Sequence, residues 1–169
     1  AVPGAGVQGS IDGRLLRLGA PAWFPDLALP VDRLTALQGE GKTVVVLAEG
    51  NTVLAMLAIA DPLRESSPAA VARLKAMGVR VVMLTGDNPV TAAAIARLAG
   101  IEDFRAGISP AGKAGAVDAL KSAGTVVAMI GDGINDAPAL AAADVSFAMG
   151  AGSDAAIEVA DVTLVRGDL

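Results

Sequence analysis

From Asp61 onward, short unbroken apolar runs alternate with helix-length segments, several of which open on a proline and close on a glycine. Ser67-Pro68 reads as a helix start, with an N-cap and a proline at the first helical position, and Gly78 as its stop. Val79–Leu84 then reads as a buried strand. Asn88-Pro89 opens the next helix and Gly100 ends it. A strand near Phe104–Ile108 follows, and Ser109-Pro110 opens a helix that runs to about Ser122. Further strands are expected at Thr125–Ile130, Val145–Met149 and Val162–Val165, with helices at Asp136–Ala143 and Asp154–Val159 between them. Near-continuous apolar strands alternating with helices of about three turns require a parallel sheet covered on both faces. The pattern is that of a doubly wound α/β domain, where ligands bind beyond the carboxyl ends of the strands. The abundance of alanine fits helices packed close against such a sheet.

Before Asp61 the chain has a different character. Gly9–Gly13 (GSIDG) lies between short apolar stretches and predicts a tight β connection. Val44–Ala48 and Thr52–Ile59 form two strands around Glu49-Gly50-Asn51, which reads as a hairpin. Pro30–Leu37 predicts one short helix, with Leu34 and Leu37 at i, i+3 and Gly39 as its stop. Residues 1–60 are therefore expected to form a small β-rich unit with a helix.

Composition limits the chemistry. The 169 residues are 53% hydrophobic but only 2% aromatic, and contain no cysteine and no histidine. Disulfides, thiolate and imidazole metal sites, and every Ser–His or Cys–His mechanism are excluded. A net charge of −5 and the scarcity of aromatics argue against a nucleic-acid partner. The best candidate for a membrane span, Thr43–Ala60, is broken by Glu49, Gly50 and Asn51. With neither an initiator methionine nor a signal peptide, Ala1 reads as a cut point.

Two polar loops follow the strands expected to be most buried. Thr85-Gly86-Asp87-Asn88 succeeds Val79–Leu84, and Gly131-Asp132-Gly133-Ile134-Asn135-Asp136 succeeds Thr125–Ile130. Each leads into a helix N-terminus, which directs backbone N–H groups and a positive helix end at an anion. Thr85 offers a hydroxyl and neighbouring amides to phosphoryl oxygens. Asp132 and Asp136, four apart across a glycine turn, can address a hard cation, and a few carboxylates with waters and a phosphate suit Mg²⁺. Taken alone, Thr85–Asn88 is an ordinary turn with an Asn cap, and Lys113 an ordinary solvated lysine at a helix start. The six-residue loop is more telling: its crowded polar groups call for a cation or a lysine, and Lys113 is the obvious lysine.

Thr85–Asn88, Lys113 and Gly131–Leu140 (GDGINDAPAL) together resemble the haloacid-dehalogenase-type phosphorylation domain of the P-type ATPases. The likeness continues through Ala141–Leu169 and is greatest to the heavy-metal-transporting branch, and within it to the copper pumps. Asp61-Pro62-Leu63-Arg64 matches the family's D-P-x-R segment, where the nucleotide-binding domain rejoins the phosphorylation domain. Gly4-Ala5-Gly6 and Gly19 are similar to the glycines that line the family's ATP pocket. The resemblance implies part of a small α+β nucleotide-binding domain over 1–60, then a haloacid-dehalogenase-like doubly wound parallel sheet over 61–169.

By the same resemblance, Asp132 would be a Mg²⁺ ligand, with Asp136 orienting Lys113 or the metal's water shell. Thr85 would hold the transferred phosphoryl group, Lys113 would neutralise its charge, Asn135 would contact its oxygens, and Gly86 would be a cofactor-binding residue. Asp61, Arg64 and Asp87 would lie near the nucleotide as the domains close. Gly4, Gly6 and Gly19 would let ATP approach the backbone, although β-turn geometry also accounts for these glycines. The family's phosphorylated aspartate lies in a D-K-T-G-T segment on the central strand, and neither that segment nor the His-Pro motif occurs here. The resemblance thus implies the back half of the catalytic unit on the cytoplasmic side of a membrane protein. Its partners would be ATP and the rest of the same ATPase: the phosphorylation strand, the actuator domain and the membrane helices. The transported metal would bind in the membrane, and copper, zinc, cadmium and cobalt all stay open. By itself this chain is expected to be inactive. A soluble phosphatase with Asp12 as nucleophile, and a non-catalytic Mg²⁺- or nucleotide-binding module, are the alternatives. Val79–Leu84 and Thr125–Ile130 are expected to flank the place of the missing strand, which would leave two unpaired edges.

Overall fold

The computed structural model describes residues 1–2, 5–122, 124–150 and 154–165. Its first part is an antiparallel sheet of order β1-β2-β3-β4. Strands β1 (Gly6–Ile11) and β2 (Arg14–Gly19) are joined by Asp12-Gly13. Both turn residues have positive φ, 52° and 78°. This is the two-residue turn whose twist matches its strands, and Asp-Gly is among the few pairs that tolerate it. Strands β3 (Thr43–Glu49) and β4 (Thr52–Ile59) form the second hairpin around Gly50-Asn51.

Helix α1 (Val31–Gly39) connects the two hairpins. It runs through Gly39, the expected stop; the chain instead turns at Gly41, where φ is 79°. Along β3, Val44, Val46 and Ala48 are buried and their neighbours are not, the period-two pattern of a strand with one covered face. Val46 and Ala48 pack with Phe24 and Leu27, edged by Trp23, Leu29, Val53 and Met56.

The second part alternates as expected, with shorter strands. It comprises α2 (Ser67–Ala76), β5 (Val82–Leu84), α3 (Pro89–Ala99), β6 (Asp103–Arg105) and α4 (Pro110–Ser122). Then come β7 (Ala128–Gly131), α5 (Ala137–Ala142), β8 (Val145–Met149), α6 (Asp154–Val159) and β9 (Val162–Leu164). β5 begins three residues late because Val79 belongs to the end of α2. Its N–H bonds to the Leu74 carbonyl, and that of Gly78 to Lys75, a Schellman cap. α3 ends the same way, with Ile101 N–H on the Ala96 carbonyl and Gly100 N–H on Arg97. At its start, Asn88 Oδ1 accepts from the N–H groups of Val90 and Thr91, the expected cap. Ser67 is no such cap: it is the first residue of α2, which has no side-chain cap. The expected helix Asp136–Ala143 begins as a 3₁₀ turn, Ile134–Asp136, before α5.

The parallel strands form two sheets. β5 pairs with β6, and β7 with β8 and then β9. Among the described residues no ladder joins β5 to β7, so each presents one open edge. Leu140, Ala148 and Ala156 form a second core with Met129, Ile157 and Ala160. In α3, Ala92, Ala94, Ala96 and Ala99 are all buried, which explains why this helix needs small residues. Among the described residues no helix is long and apolar enough to cross a membrane.

Candidate functional site

The loop Thr85–Asn88 leaves the carboxyl end of β5 and is stitched on both sides. Thr85 Oγ1 donates to Asp87 Oδ2 at 2.8 Å and accepts from the Asp87 N–H at 3.1 Å. Thr85 N–H bonds to the Arg105 carbonyl and its own carbonyl accepts from Ile108, while the Asp87 carbonyl accepts from Gly107. β6 and the segment after it therefore fix the loop's shape. Gly86 is exposed, with open space above its Cα apart from the Ile108 carbonyl.

The second loop leaves the carboxyl end of β7. Lys113, in the first turn of α4, donates to Asp136 Oδ1 at 2.6 Å, and both side chains are largely buried, 17% and 10% exposed. Asp136 Oδ2 accepts a longer bond, 3.4 Å, from Gly133 N–H. Both carboxylate oxygens thus face partners within the chain. Gly131 is buried beneath this residue: a Cβ there would stand 2.7 Å from Asp136 Cβ. Only glycine lets the strand end and the turn close on each other. Asp132 and Asn135 are exposed.

Between the antiparallel sheet and the parallel strands lies an open cleft of about 520 Å³. Asp61, Arg64, Asp87 and Asp132 line it, with Thr43, Ser67, Thr91 and Met149. Three carboxylates against one guanidinium make its walls acidic, a fit for a divalent cation or for a cation-bound phosphate and a poor one for a bare anion. Among the described residues no three carboxylates lie close enough to cage a metal by themselves. A cation here would draw most of its ligands from water and phosphate, as Mg²⁺ does.

Of the expected site residues, the cleft gathers Asp61, Arg64, Asp87 and Asp132. Thr85 and Gly86 adjoin it through Asp87, and Lys113 and Asp136 form a pair of their own beside Asp132. Gly4 lies outside the described residues. At Gly6 a Cβ would strike the Leu18 carbonyl, and at Gly19 the Ala5 carbonyl and the Trp23 ring. Backbone and indole occupy those spaces, so tight packing of β1 on β2 already requires both glycines. Asp12 belongs to the β1–β2 turn, which leaves the phosphatase alternative without its nucleophile. Gly41, Thr43 and Thr91 were not anticipated at the cleft; no local motif marks them.

Clefts beyond the carboxyl ends of parallel strands are where open α/β sheets bind their ligands. The family model for haloacid dehalogenase-like hydrolase matches residues 4–144, and the chain belongs to that family. Its curated relatives include the silver exporting P-type ATPase of Salmonella typhimurium, 46% identical over the whole of this chain and 21% of that protein. The probable copper-transporting ATPase PacS of Synechococcus elongatus is 49% identical, over the whole chain and 23% of its own length. The chain thus spans roughly a fifth of the length of these relatives. Among solved structures, a zinc-transporting PIB-type ATPase in its E2.Pi state is 40% identical with a TM-score of 0.67, covering 98% of this chain and 27% of that one. The catalytic domain of the CPx-ATPase CopB-B matches with a TM-score of 0.69 at 27% identity, covering 98% of this chain and 58% of that one.

Proposed function

We propose that this chain is part of the ATP-binding and phosphorylation domains of a P-type ATPase that drives a heavy-metal ion, copper or a related cation, across a membrane. Residues 1–60 are the nucleotide-binding part and 61–169 the phosphorylation part. The observation that carries the reading is the convergence of Asp61, Arg64, Asp87 and Asp132 on one acidic cleft between the two. ATP is the substrate: Arg64 and Asp87 lie where its phosphates would enter, while Gly6 and Gly19 shape the strands of the nucleotide side.

Asp132, exposed on the cleft wall, would hold Mg²⁺ together with phosphate oxygens and water. Bound there, the ion offsets the charge of the transferring phosphoryl group. The exposed Gly86 amide would face that group, the Thr85 hydroxyl would turn to it from Asp87, and Asn135 would reach its oxygens. Lys113, held by Asp136 at the strand end, would turn toward the phosphoryl group to offset its charge. The phosphorylated aspartate would come from a strand elsewhere in the pump, seated between the open edges of β5 and β7. On this reading the chain lies on the cytoplasmic side of the membrane.

Calorimetric titration of ATP, with and without Mg²⁺, into the wild-type chain and Asp132→Ala tests this. Magnesium should tighten ATP binding to the wild type at least tenfold and leave the variant unchanged. Equal response by both chains would sink the proposed site.

A further inference from the structure

We infer that Thr91 is a positioning residue: it ties the antiparallel sheet to helix α3, beside the Thr85–Asn88 loop, and so sets the width of the cleft. Thr91 lies in the first turn of α3 and is 2% exposed, so its hydroxyl needs partners within the chain. It accepts from Asn88 Nδ2 at 2.9 Å and donates to the Lys42 carbonyl at 3.1 Å. A threonine inside a helix commonly donates to the carbonyl four residues back. Here the residue four back, Asp87, precedes the Asn88 cap and lies outside the helix, its carbonyl accepting from Gly107 N–H at 2.7 Å. The Thr91 hydroxyl instead reaches across to a residue 49 positions earlier.

The acceptor sits on the short connector between α1 and β3, and the connector is seated closely on α3. At Gly41 a Cβ would come within 2.9 Å of Ile95 Cδ1, one helical turn beyond Thr91. With φ at 79°, Gly41 adopts a conformation that other residues resist. A second contact runs alongside: Thr43 Oγ1 donates to Asp87 Oδ1 at 3.5 Å, the outer limit of a hydrogen bond. The other oxygen of Asp87 is held by Thr85. Moving the sheet away from α3 breaks both contacts together, one feeding the Asn88 cap and the other the Asp87 carboxylate. Two hydrogen bonds and one apolar contact make a reversible stop. The inference does not depend on what the cleft binds.

The chain has no cysteine, so spin labels can be placed at Asn51→Cys and Ala72→Cys, both exposed, one on each side of the cleft. Pulsed dipolar spectroscopy on the full 169-residue chain should give one narrow distance distribution. Thr91→Val replaces the hydroxyl by a methyl group and should at least double the distribution's width, while Thr91→Ser should keep it narrow. Asn88→Ala removes the helix cap and should lower the melting temperature without broadening the distances. That separates positioning from mere support of α3. Gly41→Ala drives a methyl group at Ile95 and should broaden the distribution by a second route, which covers a Thr91→Val chain that fails to fold. An unchanged width in Thr91→Val or in Gly41→Ala would overturn the inference, as would equal broadening in Asn88→Ala.

Discussion

Lys113 Nζ stands 2.6 Å from Asp136 Oδ1, joining the first turn of α4 to the turn that follows β7 across 23 residues of sequence. The pair neutralises the carboxylate nearest the strand end and leaves Asp132 as the carboxylate turned to the cleft. Removing one member strands the other charge in a largely buried position. Lys113→Ala should therefore cost about 3 kcal/mol of stability, read by urea denaturation. Lys113→Ala with Asp136→Ala should recover part of that loss. A single variant as stable as wild type would show that the pair is screened by solvent.

Two glycines of the first hairpin should respond in opposite ways. Gly19→Ala places a methyl group against the Ala5 carbonyl and the Trp23 ring, and should cost about 1–3 kcal/mol. Gly9→Ala meets open space and should be neutral or stabilising by up to about 1 kcal/mol. Trp23 is the only tryptophan, so its fluorescence follows both melts without interference.

The two hydrophobic cores share no residue. Phe24→Ala should cost about 3–5 kcal/mol and lower the transition seen by Trp23. Leu140→Ala should cost about 2–5 kcal/mol and lower chiefly the transition seen by far-ultraviolet circular dichroism. Transitions that coincide for both probes in both variants would mean that the chain unfolds as one cooperative unit.

Acid should loosen the β7–β9 sheet through two carboxylates. Asp161 is held below the ordinary aspartate value by the Ser146 hydroxyl and then by the Ser146 N–H. Asp144 is lowered by the Val127 N–H and then by Lys121. A carboxyl that is more acidic in the folded state stabilises the fold above its unfolded value of about 4. That contribution is lost as the pH falls through the lowered folded value. Melting temperature should thus fall as the pH drops below about 4 toward the lowered folded values. Glu49 and Glu102, lowered by Arg14 and Lys75, add to the same fall. Ser146→Ala isolates the Asp161 share: it should melt below wild type at pH 7, and the gap should narrow in acid. A gap independent of pH would assign the hydroxyl a packing role alone.

The helices were legible because their signals are local. Asn88-Pro89 with Gly100 marks α3 without reference to anything distant, and Asp12-Gly13 marks its own turn. Strand ends were less so, since a ladder needs a neighbour: Val79–Arg80 have strand composition, yet Val79 is held by the cap of α2. The cleft was half legible. Asp132 and Asp87 stand in loops that follow apolar strands, which is where ligands of parallel sheets are found. Thr43 and Thr91 lie far apart in sequence, and the seating of Gly41 on Ile95 and the Thr91–Lys42 hydrogen bond bring them together. At Gly6 and Gly19 the residue type was informative but its reason was ambiguous, because close approach of a ligand and close approach of the chain demand the same absence of a side chain.

The fit of Asp136 over Gly131 bears on how any reaction at these strand ends would be assembled. At Gly131 the strand end and the turn leave no room for even a methyl group, so the end of β7 beside the cleft is a fixed anvil. On the proposed function, reacting groups would be brought to this wall by movement of the opposite one.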